Sequence, residues 1–91
     1  MASRAAASLR KNVGRRVAEL RVQRGLTQER LAERLGVSVK YQQTVEAGGE
    51  NLTLDSLARL AAALAVPVTA LFAAARTSPR PGRPRKAKMK R

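Results

Sequence analysis

An all-α fold of five short helices, followed by a disordered basic tail, is what this 91-residue chain predicts. Three observations carry that expectation. Apolar residues recur at spacings of three and four along successive stretches, as in helices that each bury one stripe. Hydroxyl residues and glycines stand where those helices would begin and end. After residue 75 the periodicity stops and the composition turns to Pro, Arg and Lys. The expected organisation is a disordered N-terminus over 1–7, a packed domain over 8–75 and a basic tail over 76–91.

Leu9, Val13, Val17 and Leu20 fall on one stripe of the first helix, with Ser8 as its N-cap and Gly25 as its stop. Arg21 and Arg24 suit the negative end of the helix dipole. Arg10, Lys11, Arg15 and Arg16 occupy other faces, either as a solvated surface or as phosphate contacts, and Arg16 is the candidate contact among them.

The second and third helices are expected over about 27–35 and 38–46. Thr27 would accept a free backbone N–H at the start of the second, Glu29 and Glu33 suit its N-terminal half, and Gly36 can take the positive φ that ends it. Leu31, Ala32, Leu35, Val37 and Val45 face inward, and the small Ala32 lets the two helices cross closely. That is the sequence form of a helix-turn-helix, in a compact domain of five helices. Val39, Lys40, Gln43 and Thr44 remain outward, and groups of those types can read base edges.

Ala47 to Asn51 form a loop whose adjacent Gly48 and Gly49 permit a tight turn or close approach of backbone to a phosphate; Glu50 argues against the second use. Thr53 caps a fourth helix with Asp55 in its first turn and Leu57, Leu60, Ala61 and Leu64 as its core stripe, ended by Val66 and Pro67. Pro67 opens a fifth helix carrying Val68, Leu71 and Phe72. These three are the candidate dimer contacts, and Phe72 would alternatively, or in addition, close the monomer core.

Nineteen basic residues against six acids give +13, a balance that points to a polyanion as partner. Eight of the bases (Arg76, Arg80, Arg83, Arg85, Lys86, Lys88, Lys90 and Arg91) follow residue 75, leaving eleven bases against six acids, or +5, in the body. The chain has neither Cys nor His, which removes disulfides, Cys/His zinc sites, thiol nucleophiles and the usual imidazole acid–base catalyst. The acids are scattered along helices, so no enzyme, cofactor or metal is expected. No apolar run approaches a bilayer span, and the Ala-rich start lacks the core of a signal peptide; a cytoplasmic, nucleoid-associated protein is expected.

RRVAELRVQRGLTQERLAERLGVSVKYQQTVEAG, followed by NLTLDSLARLAAALAVPVTALF, resembles the lambda-repressor-like, Xre/Cro-type helix-turn-helix domain of bacterial and phage regulators. The likeness covers about residues 12–73, with the Thr-Gln opening, Leu-Ala pair, Gly-Val turn and Val-Glu-Ala-Gly exit in order. It implies a homodimeric bundle of five helices whose third helix enters the major groove of double-stranded DNA at a palindromic operator. Lys40 would then bond guanine O6 or N7, Gln43 adenine N6 and N7, and Val39 a thymine methyl, with Thr44 beside them. Gln28 would hold a phosphate and brace the third helix; Tyr41 would either pack on the neighbouring helix or offer its hydroxyl to a phosphate. Arg21 and Glu46 match positions that pair structurally. Gln42 departs from the family, which has Ile, Leu or Val there, so either the third helix is slightly rotated or Gln42 reaches out at the edge.

Arg80 to Lys86 resembles an AT-hook, which lays an extended chain in a narrow minor groove. Gly82 would allow close approach, Pro81 and Pro84 would hold the chain extended, Arg83 would enter the groove, and Arg85 and Lys86 would follow; the usual core has Arg where Pro81 stands. The alternative is a non-specific polyelectrolyte tail. Together these features predict a sequence-specific DNA-binding transcriptional regulator, a repressor or autoregulator. The other expectations on the same residues are a restriction-modification controller, which NLTLDSL also resembles, an antitoxin with a toxin partner, or a DNA-compacting protein led by the tail. A toxin or RNA polymerase is the protein partner those readings admit.

Overall fold

The computed structural model describes residues 3–76. Its elements in order are α1 (Arg4–Gln23), α2 (Gln28–Leu35), α3 (Val39–Glu46), α4 (Leu54–Leu64) and a 3-10 segment (Val68–Phe72), with no strand among the described residues. The tail expectations at Arg80, Gly82, Arg83, Pro84, Arg85 and Lys86 lie outside the described residues.

Each α-helix begins on a hydroxyl. Ser3, Thr27, Ser38 and Thr53 all sit in extended backbone and accept a hydrogen bond from the N–H three residues on. α1 thus starts at Arg4, capped by Ser3, and not at Ser8 as expected. Ala5, Ala6 and Ala7 are strong helix formers, so the first turn extends to the earlier cap, and residues 4–7 belong to the helix. The expected fifth helix is corrected to a 3-10 segment of five residues without a side-chain cap, too short to repay α-helix nucleation. Gly36 takes φ 71° and ends α2 as its sequence position implied.

Val17, Leu31, Leu64 and Leu71 are completely buried, around them Val13, Leu20, Leu35, Val45, Leu57 and Leu60. α1 runs along α3, with Gly14 against the carbonyls of Val45 and Glu46. Gly48, at φ 81°, brings the loop after α3 onto the backbone of Lys11. Its close approach is therefore to α1, within the fold. Among the described residues no helix is long and apolar enough to cross a membrane.

Candidate nucleic-acid interface

The face of α3 is set by what its last residue holds. Glu46 Oε2 accepts from Arg21 Nε at 2.8 Å and Gln42 Nε2 at 2.9 Å. Its Oε1 accepts from Arg21 Nη2 at 3.1 Å and Gln28 Nε2 at 3.0 Å. Arg21 Nη1 also donates to the carbonyl of Leu26 at 2.8 Å. One carboxylate thereby ties α1, α2 and α3 together and fixes the rotation of α3, because a planar guanidinium paired bidentately tolerates little turning.

Gln42 is completely buried in this group, and does not reach out at the edge as one reading of the sequence had it. A partner one helical turn along its own helix makes its burial tolerable, and this a pattern of apolar residues cannot reveal. Gln28 braces α3 through its amide nitrogen. The ring of Tyr41 is half-buried and packs on the core.

Lys40 and Gln43 stand exposed on α3, three residues apart and hence on one face. Val39 and Thr44 flank them, partly covered, and the Thr44 hydroxyl donates to the carbonyl of Lys40 at 3.0 Å. The four expected base contacts therefore share the outward surface of a helix whose inward side is locked.

Two of the expected site residues are engaged within the fold. Arg16, the candidate phosphate contact, is held inside the fold: Nε donates to the carbonyl of Ala70 at 2.8 Å and Nη1 pairs with Glu19 at 2.7 Å. Leu71, a candidate dimer contact, is completely buried in the core, whereas Val68 and Phe72 remain 42% and 44% exposed and continue to offer an apolar surface. Within the 3-10 segment Leu71 alone of these three turns into the core.

The arginines show a use of charge that the sequence concealed. Arg24 donates to the carbonyl of Leu64 at the end of α4, Arg59 to that of Leu35 at the end of α2, and Arg34 to that of Ala63. With Arg16 and Arg21, five cations of the body donate to backbone carbonyls of the fold, three of them at the ends of α2 and α4, a role suited to the negative ends of helices. Their partners lie five to fifty-four residues away, so spacing gave no signal for most of them. Glu19 was likewise missed: buried on α1, it accepts from the backbone N–H of Arg76 at 3.0 Å and pins the end of the described chain.

A short, polar-faced helix set after a tight glycine turn in an all-helical domain is the architecture of a helix-turn-helix. The comparisons with known proteins agree. A family model described as Helix-turn-helix matches residues 17–71. The uncharacterized HTH-type transcriptional regulator y4dJ of Sinorhizobium fredii is 45% identical over 58 residues, covering 64% of this chain and 75% of that protein. Among solved structures, the restriction-modification controller protein C.AhdI from Aeromonas hydrophila is 41% identical with TM-score 0.66, covering 72% of this chain and 98% of that one. The hypothetical transcription factor NHTF from Neisseria is 32% identical with TM-score 0.69, covering 72% of this chain and 76% of that one. The chain belongs to the helix-turn-helix family, as a DNA-binding transcriptional regulator.

Proposed function

We propose that this regulator is a sequence-specific repressor or autoregulator that binds a palindromic operator as a homodimer and reads each half-site through the major groove with α3. The observation that carries this reading is the pairing of exposed Lys40 and Gln43 on one face of a helix locked from behind by Glu46. Lys40 supplies donors for guanine O6 or N7, and Gln43 supplies the donor and acceptor that adenine requires. Val39 and Thr44 add apolar contact beside them. Val68 and Phe72, both exposed, provide the surface of self-association, and a two-fold operator calls for the two copies of α3 about one turn of DNA apart. The tail from Arg80 to Lys86 adds affinity through phosphate or minor-groove contact.

Footprinting on DNA upstream of the protein's own gene, against unrelated DNA at physiological salt, tests the reading. A protected two-fold site, lost when Lys40 and Gln43 are both changed to Ala, is the expected result. Undiminished site preference in that double variant would sink it.

A second reading is favoured by the similarity to C.AhdI, of whose chain 98% is covered at 41% identity. On that reading the operator controls restriction-modification genes, and protection confined to promoters of other kinds would discard it.

A further inference from the structure

Of the eleven bases in the body, five donate to backbone carbonyls, and Arg30 stands 4.0 Å from Glu33. Arg4, Arg10, Lys11, Arg15 and Lys40 remain, and among the described residues none of their side chains takes part in an ion pair or a hydrogen bond. Four of these five lie on α1. Arg4, Lys11 and Arg15 are spaced by seven and four, so they share one exposed stripe, whereas Arg10 is half-buried and lines an apolar groove beside Leu9 and Phe72. The acid of α1, Glu19, is buried and paired with Arg16. The stripe thus carries like charges that repel one another, and nothing on its own helix offsets them.

This stripe borders the end of α3. Gly14, between Lys11 and Arg15 in sequence, lies against the carbonyls of Val45 and Glu46, and the loop after α3 rests at Gly48 on the backbone of Lys11, where a Cβ would come within 2.8 Å. An eight-residue helix is about 12 Å long, close to the width of the major groove, so a helix seated there brings its ends near the two phosphate strands. We propose that Lys11 and Arg15, continued by Arg4, hold phosphates of the strand that borders the groove at the C-terminal end of α3. The contact rests on α3 being the groove-reading helix. Ammonium and guanidinium donors on phosphate position that helix without choosing its bases, so the clamp sets register and affinity while Lys40 and Gln43 set the site.

Lys11→Gln with Arg15→Gln removes both charges, keeps good helix formers on α1 and leaves a Cγ where Gly48 packs. Anisotropy titrations of the full chain on the footprinted DNA upstream of its own gene, repeated over a series of salt concentrations, should give a slope of log affinity against log salt lower by about 2, each phosphate contact contributing about 0.9. Base preference should be unchanged. Phosphate ethylation interference should mark positions outside the bases read by α3, and these should fall silent in the variant. A slope equal to the native one would overturn the proposal. So would a lower slope with the same ethylation pattern, which would reduce the stripe to general attraction. Changing Lys40 and Gln43 to Ala tests the seat of α3 separately: site preference lost there, with the slope of the α1 variant unaltered, would leave α3 as the reader and strike the clamp alone.

Discussion

A Cβ placed on Gly14 would stand 2.5 Å from the carbonyl oxygen of Val45, so α1 and α3 touch backbone to backbone at this point. The same atom would lie 2.7 Å from the carbonyl oxygen of Glu46. Backbone cannot rotate away as a long side chain can. Gly14→Ala should therefore force the helices apart and destabilise the domain by about 1–3 kcal/mol, outweighing the better helix propensity of Ala. Urea unfolding measures it, and a more stable variant would show that the spacing yields.

The carboxylate that joins α1, α2 and α3 predicts a second result. Arg21 and Glu46 have side chains only 14% and 7% exposed, so Arg21→Met leaves a nearly buried charge unpaired and should cost about 3–5 kcal/mol. Adding Glu46→Leu removes that charge and should recover part of the loss. A double variant less stable than Arg21→Met would place the stabilisation in Gln28 and Gln42 instead, the other partners of Glu46.

Arg16 and Lys40 should separate stability from DNA binding. Lys40→Ala removes an exposed cation and should weaken site-specific binding by about 1–3 kcal/mol with unfolding unchanged. Arg16→Ala removes the guanidinium bonds to the Ala70 carbonyl and to Glu19, so it should lower the unfolding midpoint. The salt dependence of DNA binding should not respond to Arg16→Ala, and a response in fluorescence-anisotropy titrations would restore it as a phosphate contact.

The 3-10 segment predicts a contrast between neighbours. Leu71→Ala opens the core and should cost about 2–5 kcal/mol. Phe72→Asp alters an exposed ring and should shift sedimentation from dimer toward monomer with the helical content retained. An unchanged sedimentation coefficient would move the dimer contact elsewhere.

Truncation after Arg76 keeps the Glu19 anchor and removes the seven remaining tail bases. The slope of log affinity against log salt should fall by up to about 6, with the footprint unmoved. A slope identical to that of the full chain would mean that the tail does not touch DNA.

The local signals in this chain were readable where the residues that decide them are close together. Thr27 and Gly36 bound α2, Thr53 opens α4, and the apolar stripes name nearly every core residue, since caps and periodicity act within one or two turns. The outward set Val39, Lys40, Gln43 and Thr44 follows from the same periodicity. The start of α1 was missed because two serines compete as caps and the alanines between them favour continuing the helix.

What tertiary structure alone decided is the destination of the long polar side chains. A guanidinium reaches far from its own backbone, so whether Arg16 meets phosphate or the Ala70 carbonyl depends on an element fifty-four residues away. Composition counts such a cation toward DNA, and packing assigns it to the fold. Gln42 is the same case at shorter range: the sequence could mark it as an anomaly, but only the convergence of Arg21 and Gln28 on Glu46 explains how a buried amide is held. Helix, turn and stripe are properties of neighbouring residues, whereas the partner of a buried polar group is fixed by elements that meet only when the chain has folded.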